Sequence, residues 1–300
     1  MRDTSGNAAT YVKLVATMTL WGGTFIAGRL MAGMGPETGA LLRFAAATLF
    51  LVGVTLKREG GLRPPHGHWG KVAVLAASGV FLYNICFLKG LQTVPAGRAA
   101  LIIAANPAFI ALGSCLFFGE AFTRLKVLGV GLSILGGMAV ISHGNPLRLL
   151  EGLGAGDLFI LGCVFAWVAY SLMGKQVMGA LTPLAAVTWS CILGTAMLLP
   201  VALWAGLGAE LARATPLELA CCAYLGIFGT GLGFTWYYEG ILRFGASRAG
   251  VFINLVPVNA VAMGWLLLGE GVDLSLLFGT ALILTGVWLV NKPPRLRPAA

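Results

Sequence analysis

Two tryptophans, Trp21 and Trp167, head the same side-chain pattern at two places in the chain. Trp21, Thr24, Phe25 and Gly28 fall at i, i+3, i+4 and i+7, which places them on one helical face, and Trp167, Tyr170, Ser171 and Gly174 repeat the spacing. Tyr83, Asn84 and Phe87, and later Thr230, Phe234 and Tyr237, add aromatic and hydrogen-bonding groups. Aromatic walls carrying a few polar groups suit non-covalent capture of a small molecule. The same residues also fit ordinary helix packing or an interfacial aromatic belt. On the capture reading, Trp21, Tyr83, Trp167 and Tyr237 contact an apolar or aromatic group, while Thr24, Asn84, Asn106 and Tyr170 offer hydrogen bonds.

Covalent chemistry finds no support. The chain has no H-E-x-x-H, no G-x-S-x-G and no P-loop signature, so neither hydrolysis nor direct ATP use is expected. His66 and His68 sit in a basic loop and His143 at a helix end, where solvation explains them. The six cysteines lie in apolar runs without metal spacing and read as packed thiols. No catalytic group, metal or cofactor is expected.

Other polar groups have architectural readings. Asn106 precedes Pro107, and Asn254 lies one turn before Pro257. A proline inside a helix leaves a carbonyl without its donor and bends the helix, giving either a fixed kink or a hinge. Arg43 is the clearest intramembrane charge, a functional group by default, yet close enough to a helix end to snorkel. Glu120 and Glu270 end helices and immediately precede others, whose amides they can serve, while Arg98 and Arg248 begin helices and can bind a neighbour's terminal carbonyls. No Asp or Glu is expected at mid-span, and no basic residue at the centre of the site.

These residues need elements to position them, and the composition names the solvent. The chain of 300 residues is 58% hydrophobic and 10% charged, where soluble domains carry about 25% charged residues. Apolar runs of spanning length predict ten membrane helices over 11–32, 38–56, 70–90, 96–118, 123–142, 155–177, 183–204, 216–241, 246–268 and 272–291. The first run is of spanning length without a clear cleavage site and reads as a helix. Gly90, Ala96, Arg98, Ala99, Pro107, Gly119 and Glu120 each recur 150 residues later, as Gly240, Ala246, Arg248, Ala249, Pro257, Gly269 and Glu270. A constant offset marks an internal duplication, with repeats over 11–142 and 155–291.

With a cytoplasmic N-terminus, fourteen lysines and arginines fall on the cytoplasmic side and five on the other, with Arg43 inside helix 2. That split fits both termini in the cytoplasm, and the net charge of +9 reads as loop charge against a membrane surface, not as a nucleic-acid footprint. Five helices per repeat is odd, so the second repeat enters the membrane from the opposite side. An inverted repeat with a site at its interface is a transporter architecture. Gly129, Ser133 and Gly137 form a small-residue ridge on helix 5, fit for close contact within the chain or in a dimer. Packing within one chain, hence a monomer in the bilayer, is the expectation.

The doubled block, A-G-R-A…N-P…G-E in the first half and A-S-R-A…V-P…G-E in the second, resembles the paired repeats of the drug/metabolite transporter superfamily, EamA type. The resemblance runs from Trp21 to about Val290. It implies an all-α exporter of ten transmembrane helices in two inverted repeats, in the cytoplasmic (inner) membrane. Helices 1, 3, 4, 6, 8 and 9 line a central cavity, and 5 and 10 pack at the side. The aromatic richness is similar to that of bacterial aromatic amino-acid exporters, which implies amino acids or related metabolites as substrates. Drug or toxic-cation export and nucleotide-sugar-like carriage remain alternatives within the superfamily. One departure stands out: Val256 replaces Asn106 in the second repeat, so the halves need not contribute equally.

Overall fold

The computed structural model describes residues 4–31, 33–91, 93, 102–103, 105–121, 123–142, 154–268 and 274–291. The ten predicted helices are all represented there. They are α1 (Thr4–Leu30), α2 (Pro36–Glu59), α3 (Trp69–Gly90), α4 (Asn106–Phe118), α5 (Arg124–Ser142), α6 (Ala155–Val177), α7 (Pro183–Trp204), α8 (Pro216–Phe244), α9 (246–268) and α10 (Leu274–Asn291). A short helix, Leu207–Arg213, joins α7 to α8. No strand occurs among the described residues.

Local sequence sets the helix starts. Proline stands in the first turn of α2, α7 and α8, where the missing N–H costs nothing. Thr182 caps α7 by accepting from the Ala185 amide, and Thr215 with Glu218 closes a capping box on α8. Between α8 and α9 the chain turns at Gly245, whose φ of 87° admits glycine readily and other residues poorly.

Five of the described helices, α2, α3, α6, α7 and α8, are long and apolar enough to cross a membrane, and Asn106–Phe118 and Leu277–Asn291 are shorter apolar helices. Exposed Leu49, Leu116, Phe117, Leu158 and Trp204 face outward, the reverse of a water-soluble protein. The chain is an all-α membrane protein.

The two halves are related by a twofold axis, and the helix contacts give its direction. Helix α5 packs along α10, its equivalent at an offset of 150 residues. A Cβ added to Gly129 would lie 2.7 Å from the Gly286 carbonyl oxygen, and one added to Gly136 2.5 Å from that of Gly279. Advancing along α5 therefore means retreating along α10. Between them Ser133 donates to the carbonyl of Ile283, its own equivalent, at 3.4 Å. Aligned on their N-terminal prolines Pro36 and Pro183, α2 and α7 do the same. Thr48 bonds its equivalent Thr195 at 3.0 Å, and Thr55 bonds Thr188 at 2.8 Å. Equivalent helices that cross antiparallel need an axis perpendicular to their length, in the membrane plane. The duplication is inverted. The ridge of Gly129 and Ser133 is thus spent inside the chain, joined by Gly136; the surroundings of Gly137 are not among those described.

Candidate functional site

Both third-helix equivalents, α3 and α8, widen in their middle. Ala76–Leu82 in α3 and Leu225–Leu232 in α8 form π-helical turns at equivalent places, a distortion that recurs at functional sites. The turns bring small residues against large rings: a Cβ on Gly79 would lie 2.2 Å from the Tyr170 ring, and one on Gly233 2.6 Å from Trp21 Nε1. The indole N–H of Trp21 donates to the Gly229 carbonyl in the α8 turn at 2.8 Å.

Beside these turns lies a cavity of about 80 Å³, room for on the order of five waters. Trp21, Thr24, Tyr83, Phe87, Asn106, Trp167, Phe234, Ile253, Val256, Pro257 and Arg43 line it, together with Ile103. Trp21 meets Trp167 edge-on with centroids 5.3 Å apart, Tyr83 lies 5.4 Å from Trp167, and Phe234 lies 5.1 Å from Trp167. Quadrupolar edge-to-face contacts of this kind fix the rings in place. α9 breaks here: Ala246–Gly250 gives way to a 3₁₀ turn, Val251–Asn254, before Leu255–Leu268. Pro257 cannot donate to the Ile253 carbonyl, and the turn ahead of it tightens. The fully buried amide of Asn254 has no hydrogen-bond partner among the described residues.

Arg43, which its place in helix 2 left open between a functional role and snorkelling, lines the cavity, a basic residue at the site where none was expected. Its Nε donates to Thr230 Oγ1 at 3.1 Å and its Nη1 to Asn84 Oδ1 at 3.3 Å. Asn84 is oriented for this by donating its own Nδ2 to the Val80 carbonyl at 2.7 Å. The close approach at Gly226, where a Cβ would sit 2.3 Å from the Arg43 carbonyl oxygen, brings the α8 turn and Thr230 to the guanidinium.

The remaining candidates divide. Trp21, Thr24, Tyr83, Asn106 and Trp167 are on the cavity wall. Asn84 lies behind it as a support for Arg43, and Tyr170 and Tyr237 are fully buried in a second layer. Tyr237 shares a hydrogen bond of 3.0 Å with Ser171, and Tyr170 packs on Gly79 while its carbonyl accepts from Tyr238 at 2.9 Å. Ile253 also stands on the wall without having been a candidate, as do Phe87 and Phe234 without an assigned role; equivalence of Ile253 to Ile103 is the signal the sequence offers. Asn259 bonds Leu255 and accepts from Thr19, away from the cavity lining.

Of the architectural candidates, Pro257 lines the cavity, and Pro107 stands in the first turn of α4 after an Ala105 cap, not at mid-helix. Among the described residues Glu120 accepts from side-chain ammonium groups, Lys175 of α6 at 2.6 Å and Lys126 in the first turn of α5 at 3.2 Å. Burial alone would raise its carboxyl, but the two ammonium groups outweigh that and hold it below the ordinary value. Lys175 also lies over the Phe118 ring. Arg248 is partly buried in the opening turns of α9. Arg98, Glu270 and the side chain of Phe25 lie outside the described residues.

An inverted-repeat membrane bundle with an aromatic cavity between the repeats is the frame of a transporter. The EamA-like transporter family matches twice, over residues 9–142 and 154–292, and the chain belongs to that family. It is 26% identical to the uncharacterized transporter YyaM of Bacillus subtilis (strain 168), over 92% of each chain. It is 27% identical to a probable terminal-alkyne amino-acid exporter of Streptantibioticus cattleyicolor, covering 93% of this chain and 92% of that one. A solved crystal structure superposes with a TM-score of 0.79 over 94% of this chain and 97% of the other; at 20% identity it speaks for the fold alone.

Proposed function

We propose that this chain exports amino acids, aromatic and other neutral ones first, or related small metabolites, by alternating access between its two repeats. One observation carries the reading: a cavity between the repeats whose aromatic wall, Trp21, Tyr83, Trp167 and Phe234, also meets Thr24, Asn106 and Arg43. Such a wall suits a solute with an apolar end and a polar end. The Streptantibioticus cattleyicolor relative is named for export of an amino acid, which supports the substrate class. The described lining carries no carboxylate, which weighs against a toxic-cation substrate. The lysine and arginine asymmetry supports a cytoplasmic-membrane protein with both termini inside. Consumption of the small-residue ridge by α5 and α10 supports a monomer. No catalytic role accompanies transport in this reading.

The test is uptake into proteoliposomes from a mixed panel of amino acids and metabolites. Saturable, trans-stimulated movement of phenylalanine, tyrosine, tryptophan or leucine is expected. Trp167→Ala should lower the rate for the best substrate about 10-fold or more, read on the fraction that stays folded and monodisperse in detergent, since loss of a buried indole also lowers the melting temperature. Full activity in that folded variant would remove the cavity from the pathway, and failure of every amino acid would remove the substrate class. Equal rates with and without an imposed pH gradient would exclude proton coupling.

A further inference from the structure

Among the described residues Arg43 is a cation without an anion. A guanidinium carries five N–H donors in a planar fork. Two are spent on neutral acceptors, the Thr230 hydroxyl and the Asn84 amide oxygen. Three remain, and no ion pair joins Arg43 to any acidic side chain among the described residues. An uncompensated charge at membrane depth is costly and is kept where it meets a cavity or a partner. The cavity is here, and Arg43 lines it together with the aromatic wall.

Resting on the transport reading above, we infer that Arg43 is the anchor for a carboxylate of the transported solute. The solute's carboxylate is therefore obligatory and its amino group is not. Three features carry this. The fork matches a carboxylate with two parallel hydrogen bonds, and its orientation is already set by Thr230 and Asn84, so little is lost on binding. The only charge among the described lining residues is positive, so a monoanion neutralises it whereas a phosphate dianion leaves excess negative charge. Among the described lining residues an ammonium group finds only neutral acceptors, such as Asn106, and so contributes hydrogen bonds without an ion pair. Aryl- and alkyl-carboxylates lacking the amine belong to the substrate class, and decarboxylated amines do not.

Binding to the purified full-length protein in detergent, followed by calorimetry, tests this with four probes: phenylalanine, 3-phenylpropionate, 2-phenylethylamine and phenyl phosphate. Phenylalanine and 3-phenylpropionate should bind within about 10-fold of each other, and 2-phenylethylamine about 100-fold more weakly. Arg43→Gln should cost both carboxylates about 100-fold, and Arg43→Lys, which keeps the charge but loses the fork, should recover part of it. The ligand series on the unaltered protein decides the matter even if Arg43→Gln folds poorly. Binding of the amine as tight as that of the acid, or tighter binding of phenyl phosphate, would overturn the assignment. Leucine and 4-methylpentanoate separate the two readings. If they bind in an Arg43-dependent way while the aromatic probes do not, the carboxylate anchor stands and the aromatic preference falls. If no carboxylate binds, the anchor falls.

Discussion

Thr19 of α1 hydrogen-bonds Asn259 of α9 at 3.1 Å, and at the equivalent crossing of α6 with α4 Phe165 meets Phe109 with ring centroids 5.6 Å apart. The helices are in the same relation, but one crossing is polar and the other apolar. The cavity shows the same division. Opposite Arg43, Tyr83, Asn84 and Asn106 of the first repeat stand Ser190, Gly233, Phe234 and Val256 of the second. Among the described lining residues, only the tryptophans, Trp21 and Trp167, and the isoleucines, Ile103 and Ile253, are shared by both walls. Duplication supplied a symmetric frame, and substitution then made one wall of the cavity polar and cationic. A substrate with unlike ends needs that asymmetry, while alternating access needs the frame to stay symmetric.

The frame should therefore answer equally to equivalent substitutions. Gly136 and Gly286 are equivalent, and a Cβ on either runs into backbone: the Gly279 carbonyl oxygen at 2.5 Å or the Gly129 carbonyl oxygen at 2.3 Å. Backbone cannot rotate away as a side chain can. Gly136→Val and Gly286→Val should each destabilise the protein by about 3 kcal/mol, within about 1 kcal/mol of one another, as read by thermal unfolding in one detergent. A large difference between the two would mean that α5 and α10 do not share the axis.

At the cavity, equivalent substitutions should diverge. Gly79 of α3 and Gly229 of α8 occupy the same place in their widened turns. A Cβ on Gly79 meets three atoms of the buried Tyr170 ring between 2.2 and 2.7 Å, whereas one on Gly229 meets a single Thr24 methyl at 3.0 Å. A rigid ring packed on all sides must shift as a body, but a methyl at a cavity edge has room. Gly79→Ala should cost about 2 kcal/mol and Gly229→Ala less than about 1 kcal/mol by the same melting measurement. Equal losses would contradict the asymmetry.

The fold is most legible in the sequence where the signal is repeated or periodic. Apolar runs of spanning length gave the helices, and the constant offset from Gly90 to Gly240 with an odd helix count gave the inversion. Helical spacing puts Trp21 and Thr24 on one face and Trp167 at the head of the matching pattern, and all three stand on the cavity wall. Spacing could not separate the first layer from the second, because Tyr170 shares the Trp167 face yet lies beneath it against Gly79. Arg43 stayed open between function and snorkelling for a different reason. Its distance from a helix end favoured snorkelling, and its actual direction depends on Gly226 and Thr230, some 180 residues away, drawn close by a widened turn that no local periodicity announces. Glu120 likewise takes its two lysines from α5 and α6, a pairing set by packing and not by spacing.

The smallest effect probes the axis itself. Thr48 and Thr195 are equivalent residues bonded to each other at 3.0 Å, half-buried between α2 and α7. Hydrogen bonds between membrane helices contribute about 0.6 kcal/mol on average, because a broken pair finds other partners. Thr48→Val leaves the Thr195 hydroxyl without its partner, and Thr195→Val does the same to Thr48, so each should cost about 0.6 kcal/mol. Removing both takes away the bond once and leaves no orphan, since threonine and valine have nearly the same shape. The double variant should thus be no less stable than either single one, giving a coupling energy of about 0.6 kcal/mol in a double-mutant cycle. Additive losses would show that the two hydroxyls act independently, and that the second repeat does not meet the first on a twofold axis at this crossing.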